Sequence, residues 1–315
     1  MRVSEIIPVF NKAAYLTRAL DSIANQTFED FEVIVVDDGS TDDSAKRASA
    51  HKDSRIRVLS QANAGPGAAR NRGTAESRGE LLAFLDADDE WLPDYHATGV
   101  RTFDEQGHDL ATTTCGYIEF PGGFSTLPMW QKRGIIPGVQ QVSATTSPVE
   151  LSYMLAYMSP CSTLARAEIV RKYGGFYDKG ECRFGEDSIL WLKVLLNERV
   201  HFQLEPLACF HREASGLSGN YTCARPVEPF LTHPAEVASV CPVGLLPLLR
   251  DVYAARACKT ASMLGYWGKW RDARSLLHKF VTWRDWRFPY FATALVGSSA
   301  IGGAMARIIR RSHQS

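Results

Sequence analysis

Asp86 and Asp88, separated by one small residue in LLAFLDADDEW, are the pair of side chains in this 315-residue chain best placed to do chemistry. Acids at that spacing can offer oxygens to one hard cation, which usually keeps several waters and shares itself with substrate phosphates. A second acidic group, Asp37 and Asp38, precedes Gly39 in FEVIVVDDGSTDDS. A third, Glu186 and Asp187, precedes the apolar run SILWLKVLL. A helix dipole favours a charged carboxylate at its N-terminus by up to about 1 kcal/mol, and an ionised carboxylate there can act as a base. Each group also has a plainer reading. Residues 86–89 could be a solvated acidic turn, and 186–187 could be a helix cap, which needs only one acid. His211 could be a metal ligand, a phosphate contact or a packed ring.

The surrounding pattern says how these residues are positioned. Leu81 to Leu85 is a short apolar run bounded by charge, which predicts a buried strand. That strand delivers Asp86 to Asp89 to its C-terminal end, where open α/β sheets bind ligands. VSEIIPVFN predicts a strand ending at Pro8, then a turn and an amphipathic helix with Ala14, Leu16, Ala19, Leu20 and Ile23 at helical spacing and Asn11 as its cap. Val33 to Val36 predicts a second strand, after which Gly39 permits a tight turn. IRVLS, residues 56–60, is a third strand; Gln61 to Gly67 is a loop; GPGAARNRGTAESRGE is a helix ending around Gly79. Strands alternating with helices imply right-handed βαβ units and a parallel sheet. No GxGxxG or GxxxxGK[ST] occurs, which argues against a dehydrogenase and a P-loop enzyme.

Beyond residue 99 the pattern is less regular. DLATTTCGYIEF can make a strand, and residues 121–148, with their prolines, glycines and exposed-looking Met129 and Trp130, predict an irregular loop over a substrate. Glu168 to Tyr173 predicts a short helix stopped by Gly174 and Gly175, and Ser188 to Leu196 an apolar one. VHFQLEPLACFHREASGLSG predicts two short strands.

Seven cysteines with no CxxC pair read as reduced thiols in a cytosolic protein, and the N-terminal apolar run is too short for a signal peptide. Zero net charge hides an asymmetry: residues 243–315 carry twelve Lys or Arg against three acids. Such a basic tail suits an anionic partner such as a membrane surface, or the acidic body of the same chain. Residues 243–285 predict a helical pair broken at Gly265 to Gly268. Residues 289–306 carry no charge but are only weakly hydrophobic, which predicts an interfacial helix flanked by Trp283 and Trp286 and by Arg307, Arg310 and Arg311, with packing on the body or a true span as the other readings.

Taken in order, IPVFN, QTFEDFEVIVVDDGSTDDS, NAGPGAARNRG, GELLAFLDADDEWLPD, GGFYDKG and GEDSILW resemble the family 2 glycosyltransferases, inverting enzymes of the GT-A fold. The resemblance covers about residues 1–218 and implies a Rossmann-like, mostly parallel central sheet flanked by helices, with residues 219–242 as linker and 243–315 as a helical C-terminal appendage. It implies transfer of one sugar from a nucleotide-diphosphate sugar to a hydroxyl of a glycan or lipid-linked acceptor, in bacterial cell-surface or extracellular polysaccharide synthesis. Pro8, Val9, Phe10 and Asn11 would line the donor pocket. Asp38 would accept a hydrogen bond from the base, which suits the imide N–H of a UDP or dTDP donor. Asn63, Gly65 and Arg70 would border the nucleotide, and Asp86 would contact ribose or sugar. Asp88 would bind a divalent cation, Mg or Mn, with His211 as a further candidate ligand, although FHREASGLS departs from the family's usual arrangement. Asp187 would be the catalytic base. The expected location is cytoplasmic, with peripheral contact on the inner membrane's cytoplasmic face, and no nucleic-acid partner. A sugar nucleotidyltransferase should show a glycine-rich basic loop after the first strand, and PVFNKAAY is not one. A non-catalytic nucleotide-sugar-binding scaffold would be expected to lose the acid at 88 or 187. No QxxRW sequence or bank of membrane spans suggests a processive synthase.

Overall fold

The computed structural model describes residues 1–214 and 223–299. The chain divides into two units, residues 1–142 with 153–219, and residues 143–152 with 220–315.

In the first unit, strands β1 (Val3–Val9), β2 (Phe31–Asp37), β3 (Ile56–Ser60) and β4 (Leu81–Phe84) form a parallel block in the order β3-β2-β1-β4. All seven residues of β2 are buried, as in a strand covered on both faces. The short β5 (Glu90–Trp91) follows, then β6 (Leu110–Phe120), β7 (Phe124–Ser125), β8 (Gly138–Gln140), β9 (Thr163–Arg166) and β10 (Arg199–His211). β9 runs antiparallel to both β4 and β6, whereas β6 and β10 are parallel. The sheet thus continues β4-β9-β6-β10-β5.

Helices α1 (Leu16–Ala24), α2 (Ser44–Ser49), α3 (Pro66–Glu76) and α4 (Tyr95–Gln106) connect the early strands. Leu16, Ala19, Leu20 and Ile23 of α1 are buried, as their spacing predicts, whereas Ala14 lies in the turn before the helix and is exposed. Asn11 is not the cap, because Tyr15 precedes the first helical residue; Asn11 instead holds a positive φ of 53° in the turn before it. α3 ends at Glu76 rather than near Gly79, which lies where an added Cβ would meet the Ser4 backbone nitrogen at 2.5 Å. Its glycines serve close approach: at Gly73 a Cβ would come within 2.4 Å of Ile6 Cγ2.

Residues 121–148 are not simply irregular. They contain β7, β8 and α5 (Leu127–Lys132), and Trp130 is buried, edge-on to Tyr157 with ring centroids 5.3 Å apart. α6 (Pro148–Tyr157), α7 (Ala167–Lys172) and α8 (Ser188–Asn197) follow. The two short strands expected after Val200 are one strand, β10. Its register against β6 shifts on either side of Pro206, whose missing N–H makes the sequence look interrupted.

In the second unit the segment read as a linker carries α9 (Pro229–Thr232) and α10 (Ala235–Ala238), with Phe230, Leu231 and Val237 fully buried. The helical pair is α11 (Leu246–Tyr266) and α12 (Trp270–Phe280), followed by a 3-10 turn and α13 (Phe291–Gly297). Gly265 of α11 faces Gly297 of α13 so closely that a Cβ on Gly265 would lie 2.4 Å from the Gly297 Cα. Among the described residues no helix is long and apolar enough to cross a membrane. The interfacial-helix reading of 289–306 reaches the described residues only as far as Ser299, and Arg307, Arg310 and Arg311 lie outside them.

Candidate active site

Because β1 to β4 are parallel, the loops after them emerge on one side of the sheet, and hydrogen bonds between these loops build the site. The Asn11 backbone N–H donates to Ser40 Oγ at 3.1 Å, and Asn11 Oδ1 accepts from the Thr41 N–H at 2.8 Å. The Lys12 N–H donates to Ser44 Oγ at 2.9 Å. IPVFN and DDGSTDDS are therefore clamped together.

Asp38 is buried and fixes the loop after β3. Its Oδ1 accepts from Gln61 Nε2 at 2.8 Å and the Ala64 N–H at 2.9 Å, and its Oδ2 from the Gly65 N–H at 2.9 Å. A carboxylate has about four acceptor positions, so one on Oδ2 remains. Asn63 closes the same turn by donating to the Asp38 carbonyl at 2.9 Å. Gly65, with φ at 95°, can bring its N–H there because it carries no Cβ.

Two residues of ARNRG explain themselves through distant partners. Asn71 pairs with the Phe176 backbone, its Nδ2 donating to the carbonyl and its Oδ1 accepting from the N–H, both at 2.8 Å, which shapes GGFYD. Arg70, almost fully buried, donates to Asp86 Oδ1 and to Glu186 Oε1, each at 2.6 Å. It ties the end of β4 to the start of α8.

Asp88 is buried beside Lys12, whose ammonium donates to Asp88 Oδ2 at 2.6 Å and to the Ala214 carbonyl at 2.8 Å. Arg18 of α1 donates to the Asp88 carbonyl at 2.5 Å. Burial and the neighbouring Asp86 push the Asp88 carboxyl above its ordinary range, while Lys12 pulls it down. Asp89 is pushed further up by burial and by Asp86 and Asp88; it accepts from the His211 N–H at 2.9 Å.

Asp187 precedes the first residue of α8 yet makes no side-chain cap hydrogen bond, so capping does not account for it. Its carboxyl is raised to about 7, first by loss of water around it and then by Glu186, against the pull of Arg70.

A cavity of about 440 Å³ lies among these loops. Pro8, Val9, Phe10 and Asn11 line one part, Asp38, Asn63 and Gly65 another, and Arg70, Asp86 and Asp88 a third. The size and the few convergent polar groups suit a small organic ligand. Asp187 is not among the lining residues, but its neighbour Glu186 is, and Asp187 feels the charge of Asp86. Arg70 lines the cavity with both arms of its guanidinium already held by acids. His211 does not line it. Its Nε2 is 2.7 Å from Glu90 and its Nδ1 3.1 Å from Glu213, and its ring stacks on Phe120. Its ring nitrogens face Glu90 and Glu213 rather than the cavity, so the structure does not bring His211 together with Asp86 and Asp88 there.

Lys12 and Arg183 also line the cavity and were not expected from the sequence, and Glu186, read there only as part of an acidic pair at a helix start, lines it too. Glu186 had a signal, its place beside Asp187; Lys12 and Arg183 had none. Asp86, Asp89 and Cys161 offer ligand atoms within 4.8 Å of one another. Burial holds the Cys161 thiol well above its ordinary range, so it stays protonated and is a poor ligand for a hard cation. Asp86 and Asp88 supply the oxygen donors such a cation takes, each with one oxygen not engaged by Arg70 or Lys12.

A model of the family described as "Glycosyl transferase family 2" matches residues 4–174, a stretch that contains both aspartate loops. The chain belongs to glycosyl transferase family 2. The glycosyltransferase GlyA of Streptococcus pneumoniae is 39% identical over 226 residues, which cover 70% of this chain and 32% of GlyA. A glycosyltransferase of Rickettsia felis is 30% identical over 196 residues, covering 61% of this chain and 30% of that one. The aligned region spans about a third of the length of several curated family 2 relatives. Among solved structures, S. aureus TarS 1–349 in complex with UDP-GlcNAc is similar at a TM-score of 0.61 and 17% identity, over 95% of this chain and 90% of that one. A mannosyltransferase from Pyrobaculum calidifontis in complex with GDP-Man and Mn2+ is similar at 0.54 and 18%, over 98% and 87%. These likenesses place the first unit's sheet in the GT-A fold.

Proposed function

We propose that this chain is an inverting glycosyltransferase that moves one sugar from a UDP- or dTDP-type donor to a hydroxyl of a glycan or lipid-linked acceptor, as in building bacterial cell-surface or extracellular polysaccharide. The observation that carries this reading is the single cavity joining Asp38, with one acceptor position in reserve, to Asp86 and Asp88. Asp38 receives the imide N–H of the base, and Asn63 and Gly65 form the wall beside it. Asp88, with Asp86 next to it, would hold a divalent cation, whose charge would stabilise the departing diphosphate. Asp187 takes the proton of the acceptor hydroxyl as that oxygen attacks the anomeric carbon from the face opposite the diphosphate. One displacement with one base inverts the centre. A base near neutrality suits that step, because about half of it is ionised near pH 7 and it still holds a proton well. TarS, bound to UDP-GlcNAc, supports a uridine donor by similarity.

Nucleotide-sugars screened for cation-dependent hydrolysis and thermal stabilisation test the reading. UDP- or dTDP-sugars are expected to stabilise the protein, and Asp88→Ala to lose cation-dependent turnover; undiminished turnover in that variant removes Asp88 from the cation site.

The second unit carries a candidate membrane-facing surface, with Trp283 and Trp286 76% and 70% exposed and Arg284 and Arg287 nearby in the sequence. Exposed Trp beside Arg suits a headgroup boundary. Co-sedimentation with vesicles rich in anionic lipid is expected to fall in a Trp283→Ala/Trp286→Ala double variant; equal sedimentation removes this surface from the proposal.

A further inference from the structure

Lys12 has no part in the chemistry described above, yet it lines the cavity and its ammonium sits on the proposed cation ligand Asp88. It lies 2.6 Å from Asp88 Oδ2 and 2.8 Å from the Ala214 carbonyl, so two of its three donors are used. The Tyr15 ring lies 5.7 Å away, and the Lys12 backbone is anchored on Ser44. The side chain thus joins the β1 loop, the Asp86–Asp89 turn and the chain just beyond β10.

Resting on the cation-dependent reading, we propose that Lys12 is a resident counter-ion that competes with the divalent cation for Asp88 and yields its place only when a nucleotide diphosphate is bound. A divalent cation sits about 2.0 to 2.6 Å from a carboxylate oxygen. The ammonium fills that space at Oδ2, and a cation taking the other oxygen would still share the carboxylate with it, two positive groups that repel. Arg70 does not substitute for Lys12, because Asp86 and Glu186 hold its guanidinium from both sides. The Lys12 stem is flexible and its head is a compact charge, so the ammonium can leave Asp88 without its backbone moving. A diphosphate brings the negative charge that receives the displaced ammonium. Cation and donor then enter together, and the acidic cavity does not collect cations while the donor is absent.

The test measures Mn2+ binding by the loss of the free-ion paramagnetic resonance signal, using the full chain as wild type, Lys12→Met, Lys12→Arg and Asp88→Ala, first with Mn2+ alone and then with UDP, where only the loss beyond that of protein-free Mn2+ and UDP counts as binding. Lys12→Met is expected to bind Mn2+ alone on the order of tenfold more tightly than wild type. Lys12→Arg should stay close to wild type, and UDP should narrow the gap between wild type and Lys12→Met. Asp88→Ala is expected to lose the Mn2+ site in both conditions. Thermal melting confirms that each variant is folded. Equal Mn2+ affinity of wild type and Lys12→Met without UDP, with UDP still promoting binding, would overturn the role of Lys12 and leave the donor site standing. Tight binding by Lys12→Arg would also overturn it, since charge would not be the agent. Absence of Mn2+ binding with UDP in both wild type and Lys12→Met would overturn this proposal and the cation-dependent reading together.

Discussion

Asp187→Asn separates catalysis from stability. The wild-type carboxyl is held near 7 rather than near 4, chiefly because water is withdrawn from it and Glu186 adjoins it. As the proposed base it must be ionised, so kcat/KM should rise as pH climbs through about 7 and level off above. Asparagine cannot take the proton, and loss of a general base typically costs about 10² to 10⁴ in rate. For stability the sign runs the other way. A carboxyl whose folded pKa lies above its unfolded one is harmless below about pH 4, becomes a growing penalty between about 4 and 7, and carries its full penalty above that. A difference of that size corresponds to about 4 kcal/mol, and partial exposure of the side chain to water reduces it to about half. Asp187→Asn should therefore be no more stable than wild type at pH 4, yet more stable at pH 8 by about 2 kcal/mol, or about 4 to 8 °C in melting temperature. Calorimetry at the two pH values, with a pH-rate profile on the donor found in the screen, measures both. A variant equally stable relative to wild type at both pH values, or an acid limb centred near 4, would refute the account of this carboxylate.

Two other substitutions address the frame of the site. Arg70→Met should destabilise the fold by about 3 to 5 kcal/mol, since it leaves Asp86 and Glu186 without their shared partner, and Arg70→Lys should recover only part because an ammonium lacks the planar fork that spans both; denaturant titration measures each. Gly65→Ala should weaken UDP binding in a calorimetric titration while the chain still folds, because its φ of 95° disfavours a side chain and an added Cβ would stand 3.0 Å from the Cys182 carbonyl, disturbing the N–H that holds Asp38.

The parts of the fold legible in the sequence are those written locally. The spacing in α1 and the apolar run of β2 predicted burial correctly, and acids following such runs had to sit at strand ends. What the sequence left hidden depends on partners far along the chain. That Arg70 is held by Asp86 and Glu186, 16 and 116 residues away, could not be read from the sequence. Trp130, amid prolines and glycines, looked exposed, and its burial comes from Tyr157 on another element. α3 has almost no amphipathic pattern to read, because its buried side is made of Gly67, Ala69 and Gly73 around Arg70. His211 could not be assigned from the sequence because Glu90, which holds its Nε2, lies 121 residues earlier.

Glu186 and Asp187 are adjacent acids at the start of one helix, and the dipole of α8 acts on both, so it cannot decide which becomes the base. Their partners can. Arg70 pairs directly with Glu186 at 2.6 Å, whereas Asp187 makes no capping bond and its carboxyl rises to about 7. Environments that set two neighbouring acids apart separate their roles, and the reading proposed here takes Asp187, not the Arg70-bound Glu186, as the base. The same Arg70 grips Asp86 at the opposite side. A single buried guanidinium therefore holds the proposed cation end of the cavity and the proposed base end at a set separation, and removing it should disturb both even though Arg70 takes no part in the bonds that form or break.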